Sequence, residues 1–237
     1  MSEPHASAES MMTTIYESQQ SVIERSGDPH YIVIEGPDGV GKTTLIKALQ
    51  DGLQRYGVTH DRIFTVSFPS KVTTPGRIIR EIFTDIEFIR NPRTMLYLML
   101  ADLTEWESSL PIHDLLADKA YIIADRHPLV SNFAYQGEAY APEAIHSIQY
   151  RQQFIEPHRI FILDAPPDVQ EQRIQERSEK RNVMFEKKSA RYQERLRQRY
   201  LGYALSNPHN CVLLDATQSI PELLDTVLMS VLRGGVQ

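Results

Sequence analysis

Eight consecutive residues, Gly36-Pro37-Asp38-Gly39-Val40-Gly41-Lys42-Thr43, place glycines, a lysine and a hydroxyl at the spacing G-x-x-x-x-G-K-[ST]. Glycines so spaced let the backbone curl until its N–H groups face one point, and a helix starting there adds the positive end of its dipole. The ligand that suits such a cradle is a chain of phosphates. Lys42 reaches the β- and γ-phosphates, the Thr43 hydroxyl holds Mg²⁺, and Thr44 lies in the first turn of the helix beside them. The cradle needs a strand before it and a helix after it. Tyr31-Ile32-Val33-Ile34 and Thr44-Leu45-Ile46-Lys47-Ala48-Leu49 supply both patterns. The motif therefore points to a nucleoside triphosphate.

A second group of reactive side chains follows another apolar run, where Tyr121-Ile122-Ile123-Ala124 leads into Asp125-Arg126-His127. A carboxylate at a strand end can hold a Mg²⁺-bound water or accept a proton. An arginine beside it can neutralise a phosphoryl group in flight, in a reaction where positioning and charge stabilisation carry most of the catalysis.

The elements that must position these groups are legible as alternation. Strand-like runs occur at Tyr31–Glu35, Ile63–Phe68, Tyr121–Ala124, Arg159–Leu163 and Cys211–Leu214. Helical period occurs at Lys42–Tyr56, Arg93–Asp118, Pro142–Phe154, Pro167–Glu179, Lys187–Leu205 and Pro221–Leu232. Alternation of this kind predicts a parallel sheet covered by helices on both faces, with ligands at the C-terminal ends of its strands. Residues 1–29 are polar and are read as a flexible extension with a short helix near Met11–Ile23. The sequence from 30 to 237 is read as one domain.

Composition narrows the class. The chain has 237 residues, 41% hydrophobic and 24% charged, as an ordinary globular protein does. No apolar stretch nears the ~18 residues of a membrane span, so no membrane partner is expected. A formal charge of −6 argues against broad binding to nucleic acid. The single cysteine, Cys211, sits in an apolar run and suits a reducing cytoplasm, the expected location.

The stretch from Asp125 to Gly137 resembles the D-R-[HY]…A-[YF]-[QT]-G segment of thymidylate kinases, with one extra residue before Phe133. Other pieces are similar in order and spacing: Glu35-Gly36 opening the loop, Phe68-Pro69 after the second strand, and Arg173-Ile174-Gln175-Glu176-Arg177 with Phe185-Glu186 beyond it. Arg199-Tyr200-Leu201 and Asp215-Ala216-Thr217 complete the set. The resemblance covers about residues 31–233. It implies a three-layer P-loop kinase fold, a five-stranded parallel sheet flanked by helices with a basic lid, working as a homodimer. The implied activity is transfer of the ATP γ-phosphoryl to dTMP with Mg²⁺. ATP would lie on Gly36–Thr43, Thr44 and Ala216, with Mg²⁺ at Thr43 and Asp125. The resemblance makes Lys42, Asp125, Arg126, Arg173 and Arg177 catalytic. For the acceptor it implies Asp38, which touches the sugar, with Phe68, Lys71, Arg77, Arg126, Ser131 and Gln136. Asn132 is a further candidate for the base edge.

Two positions depart from the family pattern. Gly39 stands where some members carry a catalytic arginine, which leaves that charge to the lid, where Arg173 and Arg177 lie four apart on one helical face. The helix expected to read thymine with F-x-A-x-R has Met99-Leu100-Ala101-Asp102-Leu103 instead. Losing the arginine removes a hydrogen bond that a specific site uses to reject other bases. Asp102 or Glu105 can accept from an exocyclic amine in its place, or can be solvated. Three further readings therefore stand beside dTMP phosphorylation. They are a kinase for another or modified deoxynucleoside monophosphate, a deoxynucleoside kinase and a non-enzymatic nucleotide-dependent switch.

Overall fold

The computed structural model describes residues 30–84, 91–137, 139–150, 153–176 and 190–232. The expected extension 1–29 lies outside the described residues, as do Arg177, Phe185 and Glu186. Five strands appear where apolar runs were found: β1 (Tyr31–Glu35), β2 (Ile63–Ser67), β3 (Tyr121–Asp125), β4 (Arg159–Asp164) and β5 (Cys211–Asp215). All pair in parallel, in the order β2-β3-β1-β4-β5. The chain leaves β1 to one side of the sheet for β2 and β3, then crosses to the other side for β4 and β5. That reversal makes β1 and β3 the switch point, where α/β sheets bind their ligands. In register Ile34 faces Asp125, and Ser67 faces Asp125 from the other side.

Between the strands run α1 (Lys42–Arg55), α2 (Thr74–Thr84), α3 (Pro92–Ser109), α4 (Ile112–Ala117), α5 (Pro128–Gln136), α6 (Pro142–Tyr150), α7 (Pro167–Glu176), α8 (Ala190–Ser206) and α9 (Ile220–Leu232). Alternate residues of each strand point to opposite faces. Ile32, Ile34 and Phe161 pack with Leu45 and Leu49 of α1 and Val227 of α9. Tyr31, Val33 and Ile122 pack with Leu103 and Trp106 of α3, Val130 of α5 and Tyr200 of α8. Burial on both faces explains why β1, β3, β4 and β5 read as unbroken apolar runs, whereas β2, at the edge, exposes Phe64 and Thr65. The expected three-layer α/β architecture is thus present.

Four local differences from the sequence reading have physical causes. The predicted helix Arg93–Asp118 is two helices, because Leu110 precedes Pro111 and takes the extended conformation that proline imposes on its predecessor. The Asn91 side chain caps the first of them by accepting from Arg93 and Thr94 N–H, with Pro92 behind it. The predicted Pro142–Phe154 helix ends at Tyr150, and Gln153 beyond it takes a positive φ of 53°. Two helices escaped the periodic pattern. α5 is buried on most of its circumference and shows no polar stripe, and α2 opens Thr74-Pro75-Gly76, which reads as a loop. Among the described residues, no helix is long and apolar enough to cross a membrane.

Candidate active site

Gly36, Gly39 and Gly41 take φ values of 135°, 82° and 99°, the left-handed curl that a phosphate cradle requires. Gly39 is also pressed by α7, for a Cβ built there would lie 2.6 Å from the Gln170 carbonyl oxygen and 3.1 Å from Ile174. Helix α7 rests on the loop, and a Cβ at 39 would collide with its backbone; the expected lid beyond Glu176 lies outside the described residues. Lys42 stands at the first turn of α1, only 8% exposed. Its ammonium donates to the carbonyls of Gly36 (2.9 Å) and Pro37 (2.6 Å) and lies 3.9 Å from Asp38. Burial, then the Arg126 guanidinium, brings its pKa down to about 8. Thr43 and Thr44 are exposed beside it, with the Thr43 hydroxyl at the mouth of the cradle.

Glu35, the last residue of β1, is 0% exposed. One carboxylate oxygen accepts from Ser131 Oγ (2.6 Å) and His127 N–H (3.1 Å). The other accepts from Gly36 N–H (2.9 Å) and Tyr200 OH (2.9 Å), with Arg126 at 3.4 Å. A buried carboxylate with this many donors is fully compensated. It ties the cradle, the end of β3, α5 and α8 together.

Arg126 sits at φ 70°, a strained setting for a non-glycine residue. Its guanidinium also donates to Gly36 O (3.1 Å) and Tyr200 OH (3.2 Å), ion-pairs with Asp38 (2.5 Å), and lies over the Tyr135 ring. Asp38 and Arg126 therefore face each other across the cleft. Asp125 beside them is half-buried, and burial raises its carboxyl above the usual range against the pull of Lys42 and Arg126. His127 is buried, and desolvation lowers its pKa to about 3, so its neutral ring meets Tyr31 OH (3.0 Å) and plays a packing part.

On the acceptor side Phe68 is buried against His127 and Trp106. Lys71 and Arg77 are exposed, and Arg77 donates to Thr74 Oγ1 (3.3 Å), away from the strand ends. The base brought to the end of β2 is Arg80, whose guanidinium donates to Ser67 Oγ (3.1 Å) and to the Pro69 carbonyl. Only its place among apolar neighbours on an amphipathic helix could have singled it out. Ser131 is buried and gives its hydroxyl to Glu35. Gln136 is buried on the same helix. Asn132, also buried, donates to Leu96 O (3.3 Å), while its carbonyl oxygen has no hydrogen-bond partner among the described residues. Asp102 is not solvated, whereas Glu105 is exposed, as the solvated reading has it. Asp102 is buried and accepts from Ser70 N–H and Thr73, and Glu105 accepts from Thr74 N–H.

Arg173 was expected to point into the cleft together with Arg177. Its guanidinium donates to the Ala216 carbonyl (2.8 Å), joining α7 to the turn after β5. Ala216 is buried there, while Arg177 lies outside the described residues. Asp164, at the end of β4, holds Arg197 by two bonds of 2.7 Å. Glu35, Tyr200 and Arg80 are the site residues whose roles the sequence reading missed. A glutamate closing an apolar strand was the available signal for the first.

With this geometry in view, the comparisons are decisive. A family model described as thymidylate kinase matches residues 34–227. The thymidylate kinase of Kosmotoga olearia is 30% identical over 84% of this chain and 93% of its own length. That of Thiobacillus denitrificans is 32% identical over 80% and 90%, and that of Oenococcus oeni 29% identical over 80% and 88%. The chain belongs to the thymidylate kinase family. It has the family's ATP-dependent phosphotransferase architecture. Leu103, where the resemblance led one to expect a base-reading arginine, is fully buried in the core with Tyr31, Phe68 and Trp106. The preceding aromatic place falls on Met99, also buried.

Proposed function

We propose that this protein transfers the γ-phosphoryl group of ATP to the phosphate of dTMP, giving dTDP and ADP. The observation that carries the reading is the joining of two phosphate-facing halves through Arg126. Its guanidinium touches the donor loop at Gly36 O and Asp38, one strand away from Arg80 at the end of β2. A donor cradle alone suits a switch; a second basic site beside it suits an acceptor that is itself a phosphate.

The chemistry asks little covalent help of the protein. An acceptor phosphate oxygen attacks the γ-phosphorus as the bond to the β,γ-bridging oxygen breaks, and ADP leaves with that electron pair. The attacking oxygen is already deprotonated at neutral pH, so no general base is needed, and positioning and charge decide the rate. Lys42 and Arg126 supply positive charge where it develops. Thr43 and Asp125 suit Mg²⁺, a cation bound through a few protein oxygens together with phosphates and waters. Among the described residues no cluster of three or more His, Cys, Asp or Glu could hold a metal unaided, in keeping with that sparse donor set. A Mg²⁺ held there would supply positive charge against the phosphates.

For the base, the unpartnered carbonyl oxygen of Asn132 supports thymine. It can accept the N3–H that thymine and uracil carry and cytosine lacks. Asp38 serves the acceptor sugar, and Gln136 lines the same helix as Asn132. The reading includes residues 30–237 as one domain and a homodimer formed through helices flanking the sheet, which light scattering tests. A coupled assay with ATP, Mg²⁺, dTMP, dUMP, dCMP and thymidine tests the reaction. Turnover of dTMP above the others is expected. Phosphorylation of thymidine but of no monophosphate would overturn it. A modified pyrimidine monophosphate is the second reading, favoured by Leu103 and Met99 at the base-reading places.

A further inference from the structure

The loop between Phe68 and Arg77 leaves β2 and turns into α2, carrying Arg80 one turn further along. Its closest turn is held from outside itself. Asp102, on α3 and 0% exposed, accepts from Ser70 N–H at 2.8 Å through one oxygen and from the Thr73 hydroxyl through the other. Thr73 Oγ1 in turn accepts from Gly76 N–H (3.1 Å), and Ser70 Oγ accepts from Val72 N–H (3.2 Å). One turn along α3, Glu105 accepts from Thr74 N–H (3.0 Å). The wrap is tight. A Cβ at Gly76 would lie 2.6 Å from Thr73 Oγ1 and 2.7 Å from Asp102 Oδ1, and closer still to the Ser70 carbonyl.

We infer that Asp102 is a positioning residue for the acceptor phosphate: through Thr73 and Ser70 it fixes the loop whose Pro69 carbonyl holds the Arg80 guanidinium at the end of β2. The assignment rests on the phosphate-acceptor reading above and deepens it. Three considerations carry it. First, a buried carboxylate is costly unless compensated, and here each oxygen has a partner from the loop, so the loop is the structure that Asp102 serves. Second, Arg80 donates to the carbonyl of Pro69, the residue immediately before Ser70. Moving Ser70 therefore moves the carbonyl that aims the guanidinium. Third, the donor cradle has its own organiser in Glu35, and no hydrogen bond joins the Asp102 group to it among those described. The two halves can thus be perturbed separately. Burial raises the Asp102 carboxyl above the usual range, against the opposing hydrogen bonds of Thr73 and Ser70, in keeping with a carboxylate that depends on those two donors.

The test is Thr73→Val, nearly isosteric and lacking the hydroxyl, alongside Thr73→Ser, which keeps it, and Asp102→Asn. Steady-state kinetics would be measured separately in ATP and dTMP, with melting temperature as the check on folding. Thr73→Val and Asp102→Asn are expected to raise the dTMP KM about tenfold or more while the ATP KM stays within about twofold, since small misplacements of a binding group are costly. Thr73→Ser is expected to restore the dTMP KM toward the parent value. A folded Thr73→Val with an unchanged dTMP KM would overturn the assignment and leave the functional reading standing, as would equal rises in both KM values. Calorimetry of the parent chain separates the two failures. If it binds no deoxynucleoside monophosphate, both the functional reading and this assignment fall.

Discussion

Lys42 and Arg126 carry the site's positive charge, and each is already engaged before a ligand arrives. The pKa of Lys42 is brought to about 8 from 10.5, so in the folded, empty protein the ammonium loses its proton as pH rises through about 8. Between about 8 and 10.5 the unfolded chain binds more protons than the folded one. This group's contribution to stability therefore rises with pH across that window, and its cost is full below it. A bound triphosphate restores the ammonium. ATP binding at pH 8.5 is expected to take up protons, read by calorimetry in buffers of different ionisation enthalpy, and Lys42→Met should abolish the uptake. Arg126→Ala is expected to lower kcat by about a hundredfold or more while the ATP KM changes much less, because its charge matters most as the phosphoryl group moves. An effect confined to ATP affinity would contradict that role. The loop, Asp125 and Arg126 were readable in the sequence because their chemistry is local to short motifs. Arg80 was not, because its position depends on a helix that begins with proline and glycine.

At the scale of elements, α7 decides what the donor loop can hold. Its Gln170 carbonyl and Ile174 side chain press on Gly39, and its Arg173 reaches Ala216. A side chain at 39 would force the helix away and strain a left-handed residue. Gly39→Ala is expected to destabilise the protein by about 1–2 kcal/mol from the backbone alone. The shift in the urea midpoint at unchanged m-value measures it. Unaltered stability would show that α7 yields without cost. Strands β1, β3, β4 and β5 were legible because burial on both faces writes them as continuous apolar runs. Helices α2 and α5 were not, since one starts with turn-like residues and the other has too little exposed surface to show a polar stripe. The end of α3 was misread because the apolar pattern continues from Leu110 into Ile112 across Pro111.

Across the whole molecule Glu35 joins segments distant in sequence, from Gly36 through His127 and Ser131 to Tyr200. Its replacement by glutamine keeps the volume but turns two acceptor sites into donors facing donors. Each group so stranded costs about 1–3 kcal/mol, so Glu35→Gln should lower the unfolding free energy by several kcal/mol, seen as a fall in the denaturant midpoint. Retention of parent stability would show that the carboxylate is not the fastening point. That role was hidden in the sequence, because its partners come from four places that only the fold brings together.

The strand order has a further consequence. The phosphate cradle follows β1, which has neighbours on both sides, whereas the acceptor loop follows β2, an edge strand paired only with β3 and exposing Phe64 and Thr65. Partial opening of proteins begins where burial and pairing are least. As the molecule is stressed, the edge should open first, and amide exchange in β2 should precede that in β1. A partly opened molecule would still grip a triphosphate after it had stopped telling one acceptor from another, so fidelity would be lost before affinity.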